Sequence, residues 1–357
     1  MVAIARDGDR SDLGLGSASI VCAMAEPHPV LALLRERATD GTRPGARSDG
    51  QRLALVLEGG GMRGVVSAGM ASALERRRLL DCFDLVVGTS AGALNAAAFL
   101  AGVVEGCLVA YHAAFATRRF INPYRLLIGR AAIDVAFTLD HADERLDAAR
   151  HSRTLASSIS LHCIAVDVDT AVAEDLTDLR SEEDLRCALL ASSRMPWIGG
   201  GPVEFRGRRW LDGGLAEPIP HQVAVRLGAT HVLVLMTRPL GVSRTPPPRL
   251  ANRIIERRLR RLNPALVELH HRRASDYEVA VREIAAATSE PGRRAPFVYG
   301  LRLARGGPEV GQLERRAAVL QAAGGLALEH TAAVLDAAGV ATVSAAATAA
   351  PTPPRGA

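Results

Sequence analysis

The stretch from Asp84 to Gly92 reads DLVVGTSAG: a short apolar run enters Gly88-Thr89-Ser90-Ala91-Gly92, and an alanine-rich helical stretch follows. In this G-x-S-x-G spacing Ser90 is a candidate nucleophile. A serine on a sharp strand-to-helix turn is held in unfavourable backbone angles, and glycines two positions either side leave room for the turn and for a substrate. The following helix aims its N-terminal amides at the place where negative charge would develop. The same pentapeptide also serves as an ordinary βα turn, so other residues must decide. Asp212-Gly213-Gly214 is a second short motif with two readings, a plain turn or an acid placed for chemistry.

The elements that must position Ser90 begin at Leu53. Leu53-Ala54-Leu55-Val56-Leu57 is continuously apolar, as expected of a parallel strand buried on both faces. It ends in Glu58 and the run Gly59-Gly60-Gly61-Met62-Arg63-Gly64, after which Val65 to Leu79 has helical spacing. The run satisfies G-x-G-x-x-G, but a dinucleotide fold needs an acid at the end of the second strand to hold the ribose. Here Asp84 precedes that strand and Gly88-Thr89-Ser90 follows it. The coherent alternative is a βαβ unit whose two loops share one sheet edge, which turns the backbone N–H groups of Gly60, Gly61 and Met62 towards Ser90 as an oxyanion hole. Arg63 is expected to brace that loop, with an anionic headgroup as the alternative.

Composition narrows the chemistry. The 357 residues are 48% hydrophobic and 4% aromatic, and all 43 basic residues are arginine. Without lysine, Ser-Lys catalysis, Schiff bases and a Walker phosphate loop are excluded. A net charge of +5 and few aromatics give no ground for a nucleic-acid partner. Cys22, Cys82, Cys107, Cys163 and Cys187 are scattered without metal-ligand spacing, and the ten histidines form no H-E-x-x-H, so neither metal nor cofactor is expected. The N-terminus lacks the pattern of a secretory signal, and Ala91 to Val104 is too short to span a membrane. A cytoplasmic protein, in part peripheral to membrane, is the expected localisation.

Along the chain, residues 1–51 read as a largely disordered extension with one apolar patch, Val30 to Leu34, able to form a docking helix. Residues 103–155 read as helices and loops, with an amphipathic stretch around Asp140 to Arg150. Further strands are expected at Leu161 to Val168 and His231 to Leu235, and a hairpin at 203–211 turning on Arg206-Gly207. Ser181-Glu182-Glu183-Asp184 opens a helix that Pro196 closes, and Pro218 to Leu227 is another helix. The arginine-rich segment 249–273 carries Ile255, Leu259, Leu262, Leu266 and Leu269 on one stripe, interrupted at Asn263-Pro264. That stripe is expected to pack on the core, with peripheral contact to an anionic membrane as the alternative. Helices at 309–323 and 326–338 and a disordered tail, 341–357, complete the reading.

Taken together, GGGMRG, GTSAG and DGG, in this order and followed by Pro218-Ile219 and THVLVL, resemble the patatin-like phospholipase family. Asn95 and Ser192-Ser193-Arg194-Met195-Pro196 add to the likeness. It is strong over residues 52–240, the expected catalytic core, and weaker over 241–340, expected to be a helical part packed on that core. The resemblance implies a three-layer α/β/α fold with a mainly parallel sheet and additional C-terminal helices. It also implies a Ser-Asp dyad that hydrolyses lipid acyl esters, of phospholipase A or lysophospholipase type, through an acyl-enzyme. Ser90 is then the nucleophile in an elbow of Gly88, Thr89, Ala91 and Gly92, and Asp212, followed by Gly213 and Gly214, is the proton acceptor. Gly59, Gly60, Gly61, Met62, Arg63 and Gly64 form the oxyanion loop. Two rivals remain. One is a Ser-His-Asp triad drawing on His221, His231, His270, His271 or His330; the other is a lipid-binding scaffold with negligible turnover.

Overall fold

In a computed structural model the described residues are 26–128, 130–140, 152–196, 198–244 and 247–344. Five parallel strands form the centre of one sheet in the order β3 (Ser160–Asp167), β2 (Leu85–Thr89), β1 (Leu53–Leu57), β7 (His231–Leu235), β8 (Phe297–Leu301). The apolar run of β1 is explained by burial on both sides. Leu53, Leu55 and Leu57 pack into one core, while Ala54 and Val56 pack into a second on the opposite face. The first core takes in helices α1 (Pro29–Asp40), α2 (Gly64–Arg76), α3 (Ala91–Leu100) and, at the C-terminal end, α10 (Ala317–Ala337). The second takes in α7 (His221–Arg226) and α9 (Ala265–Ser289), giving three α/β/α layers.

Three short antiparallel strands extend the sheet around β3, and their register positions the site. Cys163 of β3 pairs with Gly88 of β2 on one side and with Leu176 of β4 (Ala173–Leu176) on the other. Ala165 pairs with Glu174 of β4 and with Asp212 of β6 (Arg208–Asp212). A strand residue has only two pairing edges, so β6 occupies the same edge of β3 as β2, beginning where β2 ends. Thr89 faces Ile164 and Asp212 faces Ala165, the next residue. This end-to-end abutment brings Ser90 and Asp212 together although 122 positions separate them. The expected hairpin is present, with β5 (Val203–Phe205) paired to β6 across Arg206-Gly207.

Several expectations need correction. The segment before Leu53 is ordered from residue 26 onwards: α1 is docked, and its Arg37, 2% exposed, bonds Asp49 Oδ2 (2.8 Å), Asp84 Oδ2 (2.7 Å) and the carbonyls of Cys82 and Gln51. Residues 1–25 lie outside the described residues. The part expected to be a helical addition also supplies β8, which pairs with β7 from His231↔Phe297 to Leu235↔Leu301 and so belongs to the central sheet. The helices expected at 309–323 and 326–338 are one, α10, which begins only at Ala317, residues 309–316 being turn and loop, and which Gly324-Gly325 does not break. Gly324 instead lets α10 approach α2 closely, with its carbonyl against Gly69. Asn263-Pro264 does end α8 (Arg249–Leu262) before α9. Ile255, Leu259, Leu266 and Leu269 are buried with Val166, Val168 and Leu211, so the stripe packs on the core. Of the expected stretch at 140–150 all but Asp140 lies outside the described residues, as do residues 345–357 of the expected tail. Val343 is buried and its N–H bonds Arg77 O at 3.0 Å.

Candidate active site

Ser90 stands between β2 and α3 with φ 58° and ψ −128°, a left-handed conformation that a residue with a side chain adopts only when its surroundings hold it there. The flanking glycines show why. A Cβ on Gly88 would lie 2.6 Å from the Ala93 backbone, and one on Gly92 would collide with the Leu57 carbonyl. The turn is further fixed by Ser192 at the end of α6 (Glu182–Ser192), whose hydroxyl accepts the Ser90 N–H (3.0 Å) and donates to Ile164 O (2.7 Å). Thr89 donates its hydroxyl to Glu217 O at 2.9 Å.

With its backbone so held, Ser90 donates Oγ–H to Asp212 Oδ2 at 2.7 Å. The other carboxylate oxygen of Asp212 accepts the Gly214 N–H at 2.7 Å, within the short turn Gly213–Leu215. Both residues are buried, Ser90 at 6% and Asp212 at 3% exposure. Burial raises the Asp212 pKa above the ordinary carboxylate range. Arg273, the Ser90 hydroxyl, the Gly214 N–H and Arg244 work in the opposite direction without overcoming it. A carboxylate with a raised pKa is a stronger base, which a serine proton requires.

The glycine loop follows β1 and lies against this pair. A Cβ on Gly59 would sit 2.6 Å from Thr89 O and 3.0 Å from Ser90 Cβ, so only glycine allows the approach. Not all six loop residues are open to a ligand. The N–H of Gly59 bonds Pro218 O (3.3 Å), that of Met62 bonds Gln312 O (3.1 Å) and that of Arg63 bonds Gly60 O (3.3 Å); Gly64 N–H donates to Gly61 O and Met62 O. Only the N–H groups of Gly60 and Gly61 have no partner among the described residues. Met62, expected as a donor, is therefore engaged. Arg63 does not brace the loop, since its guanidinium makes no hydrogen bond among the described residues and its Nε is buried without a partner. Asn95 does the bracing: its amide donates to Gly64 O (2.8 Å) and Ser67 Oγ (3.1 Å) and accepts from Tyr111 OH (3.3 Å).

No histidine contacts Ser90 or Asp212 among the described residues. His231 opens β7 opposite Leu53, at the end of the sheet remote from Leu57 and the glycine loop, and its burial lowers its pKa to about 4. His221 bonds Ile219 O, His271 bonds Glu256 and His270 bonds Asn252. The triad rival thus has no member at the serine. Ser90 instead lies where two cavities meet. One is lined by apolar side chains including Leu94, Phe115, Phe120, Ile133 and Val135. The other is narrower and lined by Arg63, Arg238, Arg244 and Arg273 together with Asp212.

Sequence reasoning did not single out Gln312, Arg238, Arg244 or Arg273. Gln312 reaches the site from the segment after β8, touching Gly61 and the Met62 N–H, and no local pattern announces it. Arg273 was visible only as one member of a basic run; its position in α9, four residues before the buried Tyr277, is the signal that marked it as inward-facing.

Residues 55–225 match the family model of patatin-like phospholipase. The chain is also 32% identical over 202 residues to the uncharacterized protein YjjU of Escherichia coli strain K12, over 55% of this chain and 54% of that one. It thus spans about half the length of that curated relative. Among solved structures, VipD from Legionella pneumophila is similar over 81% of this chain and 67% of its own, at 12% identity and a TM-score of 0.35. Likeness at that level defines neither fold nor chemistry here, and the fold rests on the sheet described above.

Proposed function

We propose that the protein hydrolyses a lipid acyl ester through a Ser90-Asp212 dyad, a reading that the match of residues 55–225 to the model of patatin-like phospholipase supports. The observation that carries this reading is the 2.7 Å bond from Ser90 Oγ to Asp212 Oδ2, in a buried site with no histidine in contact among the described residues. Ser90 Oγ attacks the ester carbonyl as its proton passes to Asp212. The N–H groups of Gly60 and Gly61 receive the oxyanion. When the tetrahedral adduct collapses, the C–O bond to the alcohol breaks and Asp212 returns the proton to the leaving oxygen. Water then gives a proton to Asp212 and attacks the acyl-serine, and the second collapse releases the fatty acid and reprotonates Ser90. The apolar cavity takes the acyl chain.

A phospholipase A or lysophospholipase type of substrate fits this division into apolar and basic cavities. The lipid-binding scaffold is the weaker reading, because a binder gains nothing from a serine held at φ 58° against its backbone preference. Peripheral membrane contact is carried by little: on α8, only Leu250 and Ile254 are exposed large apolar residues.

The proposal is tested by fatty-acid release from lysophospholipids and nitrophenyl esters as a function of pH. Asp212 must be ionised to accept the proton, so kcat/KM is expected to rise with pH in a single one-proton step. Because burial raises the Asp212 pKa, that step lies above the ordinary carboxylate value of about 3.9. Its position should be nearly independent of temperature, as carboxyl ionisation has a small enthalpy. Ser90→Ala should release no fatty acid above background. A step that shifts with temperature as an imidazole does, or full activity in Ser90→Ala, contradicts the dyad.

A further inference from the structure

The half-buried arginines beside Ser90 are satisfied differently from the fully buried Arg37, whose guanidinium lies against two carboxylates and two carbonyls. Arg63 from the glycine loop, Arg238 and Arg244 from the segment after β7, and Arg273 from α9 instead converge on one cavity with Ser90 and Asp212. Among the described residues the side chains of Arg63, Arg238 and Arg244 donate no hydrogen bond and join no ion pair, and the Nε atoms of Arg63 and Arg238 are buried without partners. Arg238 lies 5.4 Å from the centre of the Tyr277 ring. Arg273 Nε donates to Gly214 O, which plants this guanidinium against the turn that carries Asp212.

Four guanidinium groups therefore share this cavity with two carboxylates among the described residues, and both already accept hydrogen bonds. Glu58 accepts the Thr237 N–H at 2.6 Å, and Asp212 accepts from Ser90 and Gly214. Gathering like charges that are each only partly exposed to water around few acceptors is unfavourable unless an anion completes the site. Burial, with repulsion from the neighbouring arginines, lowers the Arg63 and Arg273 pKa values to about 10 and that of Arg244 to about 9. The cavity continues past Arg244 and Arg273 into a wider cleft lined, among the described residues, by Arg249, His270 and His271, with Glu256 bonded to His271 at its margin. The apolar cavity lies on the other side of Ser90. An ester seated with its acyl chain in the apolar cavity thus directs its alcohol portion towards the arginines.

We propose that Arg63, Arg238, Arg244 and Arg273 form a subsite for a phosphate group on the alcohol side of the scissile ester. The preferred substrates are then acyl esters whose alcohol bears an uncompensated phosphate. This inference rests on the hydrolase reading. A choline or ethanolamine headgroup places an ammonium among these cations and is disfavoured, whereas a terminal phosphate meets several guanidinium donors at once.

The test compares 1-octanoylglycerol 3-phosphate, 1-octanoylglycerol and 1-octanoylglycero-3-phosphocholine, each below its micelle concentration, with the full chain. The expected kcat/KM for the phosphate monoester exceeds that for either other ester by about tenfold or more, the range of charge-assisted hydrogen bonds. Arg244→Gln and, separately, Arg238→Gln should reduce that preference about tenfold, and Arg244→Lys should restore part of it. Calorimetric titration of Ser90→Ala with glycerol 3-phosphate and with inorganic phosphate reads the subsite without turnover. Tighter binding of glycerol 3-phosphate, weakened by Arg244→Gln, supports a lipid-headgroup site. Equal binding of both probes assigns it to free phosphate and overturns the substrate preference. Equal kcat/KM for the three esters, or binding of neither probe, overturns the subsite and leaves the hydrolase reading intact. If phosphate binds but no ester is cleaved, the hydrolase reading falls, the leaving-group assignment falls with it, and an anion site remains.

Discussion

Replacing Asp212 with asparagine is expected to reduce kcat for ester hydrolysis by about 10³-fold while raising the thermal stability of the protein. The kinetic loss follows from the geometry. Asp212 Oδ2 is the acceptor of the Ser90 proton, and no other base touches that hydroxyl among the described residues. Asparagine preserves the shape but has no basic oxygen to take a proton, so nucleophilic attack proceeds without general-base assistance. The gain in stability follows from linkage. Burial raises the Asp212 pKa in the folded protein, so the ionised form is less favourable there than in the unfolded chain. Below the unfolded carboxylate pKa both states hold the proton and this penalty vanishes. It develops as pH rises through the interval between the unfolded and folded values, and it is fully present at neutral pH. Melting temperatures of wild type and Asp212→Asn should therefore diverge as pH rises from about 4 to 7, with the variant higher. A lower melting temperature for the variant would show that Arg273 and the Gly214 N–H outweigh burial.

The second large effect is structural and lies far from the site. Arg37→Met is expected to destabilise the protein by about 3 kcal/mol, measured by urea unfolding, because removal of one partner from a buried ion pair strands the others. Arg37 joins Asp49 and Asp84. The carboxylate of Asp84 also accepts the Leu53 N–H (2.7 Å) at the start of β1, so the damage passes from α1 into the central strand. Arg47 retains its own bond to Asp84 at 2.6 Å, which places the expected loss at the lower end of the range for buried pairs. A change of less than about 1 kcal/mol, typical of an exposed pair, would mean that α1 is dispensable to the core.

The parts of this molecule legible in the sequence are those specified by local chemistry. β1 and β7 are apolar runs because both faces are buried, Ser181 caps α6 by accepting the Asp184 N–H at 3.0 Å, and the turn at Gly88 to Gly92 carries its own steric logic. The parts that were not legible depend on partners distant in sequence. The order of residues 28–50 is secured by Arg37 reaching Asp84, and nothing within the segment reveals that contact. Gly324-Gly325 reads as a helix break until α2 is placed beside it. β8 is a short run after a long helix, and its strand character comes from the exposed edge of β7. The arginine cluster is the extreme case. Its four members come from three widely separated segments, and each alone is indistinguishable from a solvated surface residue in a chain whose only strongly basic side chain is arginine.

The most direct measurement is intact-mass and peptide-mapping analysis of the protein after reaction with a fluorophosphonate probe. One adduct per chain, located on Ser90 and absent from Ser90→Ala, is the predicted result, with labelling much slower in Asp212→Asn. Equal labelling of Ser90→Ala, or a folded wild type that acquires no adduct while an authentic serine hydrolase in the same tube does, would contradict an activated Ser90.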